Sequence, residues 1–209
     1  MLFRSPEPRL LALGVDACRS RGWLDRAARL VLREFERRPN ATLFAMLRNV
    51  GTEAGHWPSL RRRAFGIAKA AVANCRRGDA NGDLDVFGTR RDVSLLVGMY
   101  LVEGDAKAAQ RTAGKGYCRD HVWISLADAL GETKPQEAAE LYELRLRQLL
   151  MDLGRRDVLQ ECDELIRKLR GCREKAGQAE RFRDWVENAR MAYRESTAFC
   201  ALLDRCGTE

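Results

Sequence analysis

Apolar residues recur at spacings of three and four along almost the whole chain, which is the pattern of helices that bury one face. Glycine, proline and capping residues interrupt the pattern at short intervals and mark the expected helix ends. Asn40, for example, is expected to cap the third helix. The pattern predicts helices over residues 8–21, 23–38, 40–53, 58–75, 91–103, 105–114, 120–130, 134–153, 155–176, 178–193 and 196–205.

Three segments share one design, which indicates a degenerate internal repeat. They read GWLDRAARL from Gly22, GDAKAAQRT from Gly104 and KPQEAAELY from Lys134. Each has a turn, an acid near the helix start and then paired alanines, and small residues of this kind let two helices approach closely. No fixed period near 34 residues connects the segments. The sequence therefore predicts an all-α fold, an irregular α-solenoid of antiparallel helix hairpins that is tetratricopeptide-like.

The helical pattern is interrupted once, over residues 76–90. This stretch reads RRGDANGDLDVFGTR and has three glycines and three aspartates but no apolar stripe. We expect basic N-terminal hairpins over residues 1–77, a loop over 78–90 and C-terminal hairpins over 91–209. The two sets of hairpins are expected to form one continuous solenoid.

Charge is distributed unevenly along the chain. Its net charge is +7, yet residues 1–77 contain 16 Lys and Arg against 6 Asp and Glu, so the surplus belongs to the first third. Consecutive arginines at 61–63 spread over about 200° of a helix, so at least two of them must face solvent. The predicted binding surface for an acidic protein or a nucleic acid consists of Arg37, Arg38, Arg48, Arg61, Arg62, Arg63, Arg76 and Arg77.

Plain solvation of helix faces explains the same arginines without any partner, and that alternative stays open. Aromatic residues near them are few. Phe44, Trp57 and Phe65 are expected to fill the core rather than to stack on bases.

The chain is expected to be cytoplasmic and without membrane contact. No run approaches about 18 consecutive apolar residues, the length that would cross a membrane. The N-terminal residues lack the apolar centre of a signal peptide. The 7 scattered cysteines are then expected to be reduced and mostly buried.

Candidate chemistry centres on the segment CRDH, in which Cys118 and His121 lie three residues apart with Asp120 between them. A cysteine near a helix start can be activated as a thiolate, and the same pair could supply two zinc ligands. No second paired motif offers the remaining ligands, and a structural role is favoured. We expect no catalytic residue, no metal site and no cofactor.

From about Arg38 to Gly207 the order of landmarks resembles the C-terminal helical region of bacterial SWIM zinc-finger proteins. The landmarks are RRPNATLFAMLRNVGTEAGHW, LLVGMYLVEGDAKAAQRTA, VWISLADALGETKPQEAAELYELRLRQLL and AGQAERFRDWVENARMAYRESTAFCALLDRCG. The resemblance implies a helical architecture and an accessory role. The family's zinc module, of the type Cys-x-Cys followed by Cys-x-His, is missing because this chain has no Cys-x-Cys.

These observations favour a non-catalytic scaffold or adaptor that binds a protein partner through a groove or an arginine-rich face. The first alternative is a nucleic-acid-associated accessory protein that uses the basic first third. The second alternative is an enzyme that depends on Cys118 and His121.

Overall fold

The computed structural model describes residues 8–74, 92–152 and 156–207, and within them the fold is all-α, as the sequence predicts. An isolated bridge between Asp92 and Tyr117 is the β-type pairing found in these ranges. The helices are α1 (Pro8–Arg19), α2 (Leu24–Arg37), α3 (Ala41–Glu53), α4 (Trp57–Asn74), α5 (Ser94–Val102), α6 (Ala106–Ala113), α7 (Asp120–Leu130), α8 (Pro135–Leu149), α9 (Arg156–Lys175), α10 (Ala179–Ala192) and α11 (Thr197–Gly207). A short 3-10 helix, Leu150–Asp152, follows α8.

Side chains that the sequence marks as caps begin two of these helices. Asn40 accepts a hydrogen bond from the backbone N–H of Leu43 at 2.9 Å, and the predicted cap of α3 is confirmed. Asp105 accepts one from the N–H of Ala108 at 2.8 Å and begins α6 in the same way. Each bond satisfies a backbone donor that has no partner within its own helix.

The same turn ends a helix at four places. In each turn a glycine with positive φ is followed by a residue whose N–H donates to the carbonyl five positions back, which is the Schellman arrangement. The four bonds measure 2.8–3.0 Å and run from Trp23 to Cys18, from His56 to Gly51, from Asp105 to Tyr100 and from Gln178 to Arg173. This turn therefore joins α1 to α2, α3 to α4, α5 to α6 and α9 to α10.

The chain divides into two compact units, Met1–Arg119 and Asp120–Glu209. In the first unit α1 packs on α2, α2 on α3, α3 on both α4 and α5, and α5 on α6. In the second unit α8 packs on α7 and α9, while α10 and α11 both pack on α9. The predicted loop at 78–90 lies outside the described residues, and α5 and α6 belong to the first unit.

Aromatic side chains form the centre of the first unit. Phe44 is fully buried, and its ring lies 5.6 Å from Phe65, 5.4 Å from Trp57 and 6.3 Å from Phe35, centroid to centroid. Tyr100 of α5 extends the cluster from Phe65 at 4.9 Å. Phe44 and Phe65 are buried in the core, as predicted, whereas Trp57 is partly buried and packs against the core.

Paired alanines, at which the sequence predicts close helix approach, lie on three helices. All six are buried, and they are Ala27, Ala28, Ala108, Ala109, Ala138 and Ala139. The first pair lies on α2, the second on α6 and the third on α8. A larger side chain at these positions would need space that the packed neighbours already fill.

Around α9 the second unit has an apolar core, with Leu165, Ile166 and Leu169 almost wholly buried. One charged side chain is buried with them. Arg173 donates to a carboxylate oxygen of Glu143 on α8 at 2.6 Å and also to Gln178 at the start of α10. Among the described helices, none combines the length and the apolar character needed to span a bilayer.

Candidate interaction surface

Arg61 is a structural link between two helices. Its Nε and Nη2 donate to the two carboxylate oxygens of Glu103, just after α5, at 2.5 and 2.7 Å. Its guanidinium lies 4.8 Å from the centroid of the Phe65 ring. Hydrogen bonding to Glu103 raises the pKa of Arg61. Because two of its nitrogen donors already bind Glu103, Arg61 has fewer donors available for a partner protein.

Three further predicted residues also have contacts within the first unit. Arg48 donates to the backbone carbonyl of Val102, which ends α5. Arg63 donates to Glu36 at 2.5 Å, and Arg37 lies 3.9 Å from Glu34 on the preceding turn of α2. The sequence identifies these arginines as exposed cations, but the folded chain uses at least Arg48 to satisfy a helix end.

The ion pair between Arg63 and Glu36 brings the first half of α4 beside the last turn of α2. Arg38 and Arg62 flank this junction and are exposed, and no carboxylate of the described residues lies within ion-pair distance of either. The structure therefore brings four of the predicted residues, Arg37, Arg38, Arg62 and Arg63, into one neighbourhood. Arg76 and Arg77 lie outside the described residues.

A second row of arginines, which the sequence reasoning passed over, follows the outer face of α2. It consists of Arg26, Arg29, Arg33 and Arg37 and is called the arginine stripe below. All four are exposed, and at 100° per residue they fall within an arc of about 80°. The buried residues of α2, from Ala27 to Phe35, lie on the opposite face. The spacing of three and four that indicates an apolar face would have revealed this stripe as well.

Within the described part of the first unit, the carboxylates are already engaged. Their contacts are Asp16 and Glu53 with Arg19, Asp25 with His56, Glu34 with Arg37, Glu36 with Arg63, Asp92 with Arg119, Glu103 with Arg61, and Asp105 with the N–H of Ala108. No carboxylate of the described residues lies within ion-pair distance of Arg29 or Arg33. Arg29 and Arg33, at the centre of the arginine stripe, are therefore surplus positive charge after internal pairing.

An exposed indole lies at the start of the arginine stripe. Trp23, in the turn between α1 and α2, is 50% exposed. The guanidinium carbons of Arg21 and Arg26 each lie 5.5 Å from its ring centroid. Cation–π contacts of this kind hold the ring in place while leaving much of its surface open to solvent.

On α1 two leucines face away from the core. Leu10 is 59% exposed and Leu13 is 65% exposed, whereas Leu11 and Val15 of the same helix are buried. Leu10 and Leu13 are one helical turn apart, so they lie on one side of α1. This leucine pair and the arginine stripe belong to the same packed hairpin, since α1 packs on α2.

The CRDH segment gives no activated thiol. Cys118 is 2% exposed, and burial together with Asp92 raises the pKa of its thiol to about 12. At neutral pH the group is therefore protonated, and a protonated thiol is a poor nucleophile. Among the described residues, no group of three or more His, Cys, Asp and Glu side chains is arranged to hold a metal ion.

Other titratable side chains, outside the CRDH segment, also have contacts within the protein. His56 lies 3.3 Å from Asp25, and both are exposed. On α9, Asp163 pairs with Arg167 and Glu164 with Lys168. Pairs of this kind at i,i+4 are ordinary surface stabilisation.

Comparison with protein-family models, with curated proteins and with solved structures gives no match to this chain.

Proposed function

We propose that the protein is a non-catalytic scaffold that binds an acidic protein partner through its arginine-rich N-terminal hairpin. In this proposal the helices form an irregular, tetratricopeptide-like α-solenoid of antiparallel hairpins. Two features support that arrangement: the glycine turn that recurs between successive helices, and the buried alanine pairs of α2, α6 and α8. Stacked hairpins of this type present extended surfaces for peptides and helices.

The main support for the proposal is that some arginines pair with carboxylates inside the protein whereas others have no such partner. In the first unit the described carboxylates already have partners, and Arg29 and Arg33 have none among the described residues. In the second unit, by contrast, Arg145 pairs with both Asp120 and Glu161 and so joins neighbouring helices. Surplus guanidinium groups aligned on one face suit carboxylates of a partner, with which they form paired hydrogen bonds.

The test compares two charge reversals of equal size. Arg29→Glu/Arg33→Glu removes the centre of the arginine stripe. Lys107→Glu/Arg111→Glu makes the same change in charge on α6, where both side chains are exposed and have no ion pair among the described residues. Each variant and the parent chain are used for affinity capture after nuclease treatment, and captured proteins are purified and titrated against the chain.

The proposal expects a purified partner whose affinity falls at least about tenfold for the α2 variant and less than about twofold for the α6 variant. An equal loss in both variants would show that only net charge matters, and the proposed binding face would be wrong. A partner that binds both variants as well as the parent chain would also refute it.

A nucleic-acid-associated role is the second candidate, and Trp23 favours it. A half-exposed indole between two arginines is suited to stacking on a base while the guanidinium groups approach phosphates. This role expects binding to a short DNA or RNA strand that weakens steeply with salt. It also expects loss of that binding in Trp23→Ala, with the helical content of the chain unchanged.

The resemblance to the helical region of SWIM zinc-finger proteins and a cytoplasmic location both remain part of the proposal. The resemblance implies that the chain acts together with a SWIM zinc-finger protein. A co-purification experiment with such a protein encoded near this chain's own gene tests that relationship.

A further inference from the structure

The α1–α2 hairpin carries three kinds of exposed side chain. They are the arginine stripe of α2, the leucine pair of α1 and the indole of Trp23 in the turn that joins the two helices. At 1.5 Å per residue the arginine stripe extends for about 16 Å. That length corresponds to about three turns of a helical partner.

We propose that these side chains form one surface, which binds one amphipathic acidic helix of a partner protein, with carboxylates on the arginine stripe and apolar side chains against the leucine pair and Trp23. The inference rests on the proposed function and specifies the chemistry of the partner. Carboxylates repeated every three to four residues on such a helix recur every 4.5–6 Å, which is about the spacing of the arginines on α2.

The apolar residues distinguish this occupant from a nucleic acid. Leu10 and Leu13 are each more than half exposed, and a phosphodiester backbone offers no apolar surface to cover them. An amphipathic helix offers carboxylates and apolar side chains together. Trp and Arg are also the residues that most often dominate the energy of protein interfaces.

The distribution of exposed side chains on α2 also favours a partner helix over an anionic membrane surface as the occupant. A helix that lies on a membrane buries a broad apolar face of its own between basic flanks. The outer face of α2 is instead a row of arginines, and its apolar residues, such as Val31 and Phe35, are buried in the core.

The experiment uses the full chain and a fluorescent model peptide of about 20 residues, long enough to form a helix, with the repeat Leu-Glu-Glu-Leu-Leu-Glu-Glu. A scrambled peptide of equal composition controls for charge. A single-stranded DNA of similar length and phosphatidylserine vesicles represent the other two occupants. Affinities are measured by fluorescence anisotropy, with vesicle binding followed by sedimentation.

We expect the amphipathic peptide to bind at least about tenfold more tightly than the scrambled one. Arg29→Glu/Arg33→Glu should weaken its binding about tenfold, whereas Lys107→Glu/Arg111→Glu should change it less than about twofold. Leu10→Ser/Leu13→Ser should also weaken binding. The matched control, Met191→Ser, removes an exposed apolar side chain of the second unit and should have no effect.

Equal affinity for the two peptides would overturn the inference, and so would tighter binding of the DNA or the vesicles with the same dependence on Arg29 and Arg33. Loss of binding in a variant counts only if its circular dichroism and melting temperature match those of the parent chain. If the peptide fails but a captured protein still depends on the arginine stripe, the proposed function stands and only the amphipathic helix is wrong. If no captured protein depends on the stripe, the proposed function itself has failed.

Discussion

Arg61 and Glu103 form a bidentate ion pair across 42 residues of sequence and join α4 to the end of α5. The Glu103 side chain is largely shielded from solvent, and the Arg61 guanidinium also covers the Phe65 ring. The neighbouring Arg62 is exposed and has no ion pair among the described residues. Two adjacent arginines therefore differ completely in what they do.

Replacing each of these two arginines with alanine should show that Arg61 stabilises the fold and that Arg62 does not. Arg61→Ala should lower the free energy of unfolding by about 1–2 kcal/mol, because it removes both the shielded ion pair and the contact with Phe65. Arg62→Ala should change it by less than about 0.5 kcal/mol. Urea denaturation measures both, and a double-mutant cycle with Glu103→Ala isolates the pair. Equal effects at the two positions would contradict the assignment.

The contrast between Arg61 and Arg62 shows where sequence reasoning stops. Local features, such as the Asn40 cap and the paired alanines, depend on a few neighbouring residues and are predictable. Whether an arginine meets a carboxylate depends on how distant helices pack, and Glu103 gives no local sign of its partner. The arginine stripe is a different case, because its spacing is already visible in the sequence. The prediction of helices rests on the period of the apolar residues alone, and the arginines recur at the same spacings of three and four.

Buried thiols should make the protein less stable at alkaline pH. Burial raises the pKa of Cys118 from its ordinary 9.0 to about 12 and that of Cys162 to about 11. Below pH 9 the thiols are protonated in both states and the stability is fully present. Above it the unfolded chain loses the proton first, so stability falls as pH rises from about 9 to about 12 for Cys118 and to about 11 for Cys162. The slope is up to about 1.4 kcal/mol per pH unit for each thiol.

Urea titrations at about pH 8 and about pH 10 under reducing conditions test this sign. The loss of stability between the two pH values should be smaller in Cys118→Ala than in the parent chain. Cys200→Ala removes a thiol that is less buried and serves as the control. Cys118 should also alkylate slowly in the folded protein at neutral pH. Fast alkylation of Cys118 under these conditions would instead indicate an activated thiol.

The effects of substitutions at Arg173 and Glu143 on the free energy of unfolding should be strongly coupled, because Arg173 is only 4% exposed. Arg173→Met leaves the Glu143 carboxylate without its cation and should lower the free energy of unfolding by about 3 kcal/mol. Adding Glu143→Leu should recover part of this loss, since the uncompensated charge is then removed. The exposed pair of Arg183 and Glu180 is the control, and Arg183→Met should cost less than about 0.5 kcal/mol. A double variant no more stable than Arg173→Met would contradict the coupling.

Two helical glycines, Gly51 and Gly66, should respond differently to alanine. A Cβ atom at Gly66 of α4 would have no heavy atom of the described residues within 4 Å, apart from the neighbouring residues and the backbone of its own helix. Gly66→Ala should therefore stabilise the protein by about 0.5–1 kcal/mol through helix propensity. A Cβ atom at Gly51 of α3 would lie 2.8 Å from Leu60 Cδ1 and 3.3 Å from Trp57 Cε3. Gly51→Ala must therefore displace Leu60 and Trp57 in the contact between α3 and α4, and this strain should cancel or exceed the gain.

Melting temperatures of the two glycine variants, measured side by side, give the comparison directly. Gly66→Ala should melt above the parent chain and Gly51→Ala at or below it. The fluorescence of Trp57 should change in Gly51→Ala, because the indole borders the new methyl group, and should be unchanged in Gly66→Ala. A Gly51→Ala variant that gains as much stability as Gly66→Ala would show that α3 and α4 are packed less tightly than these distances require.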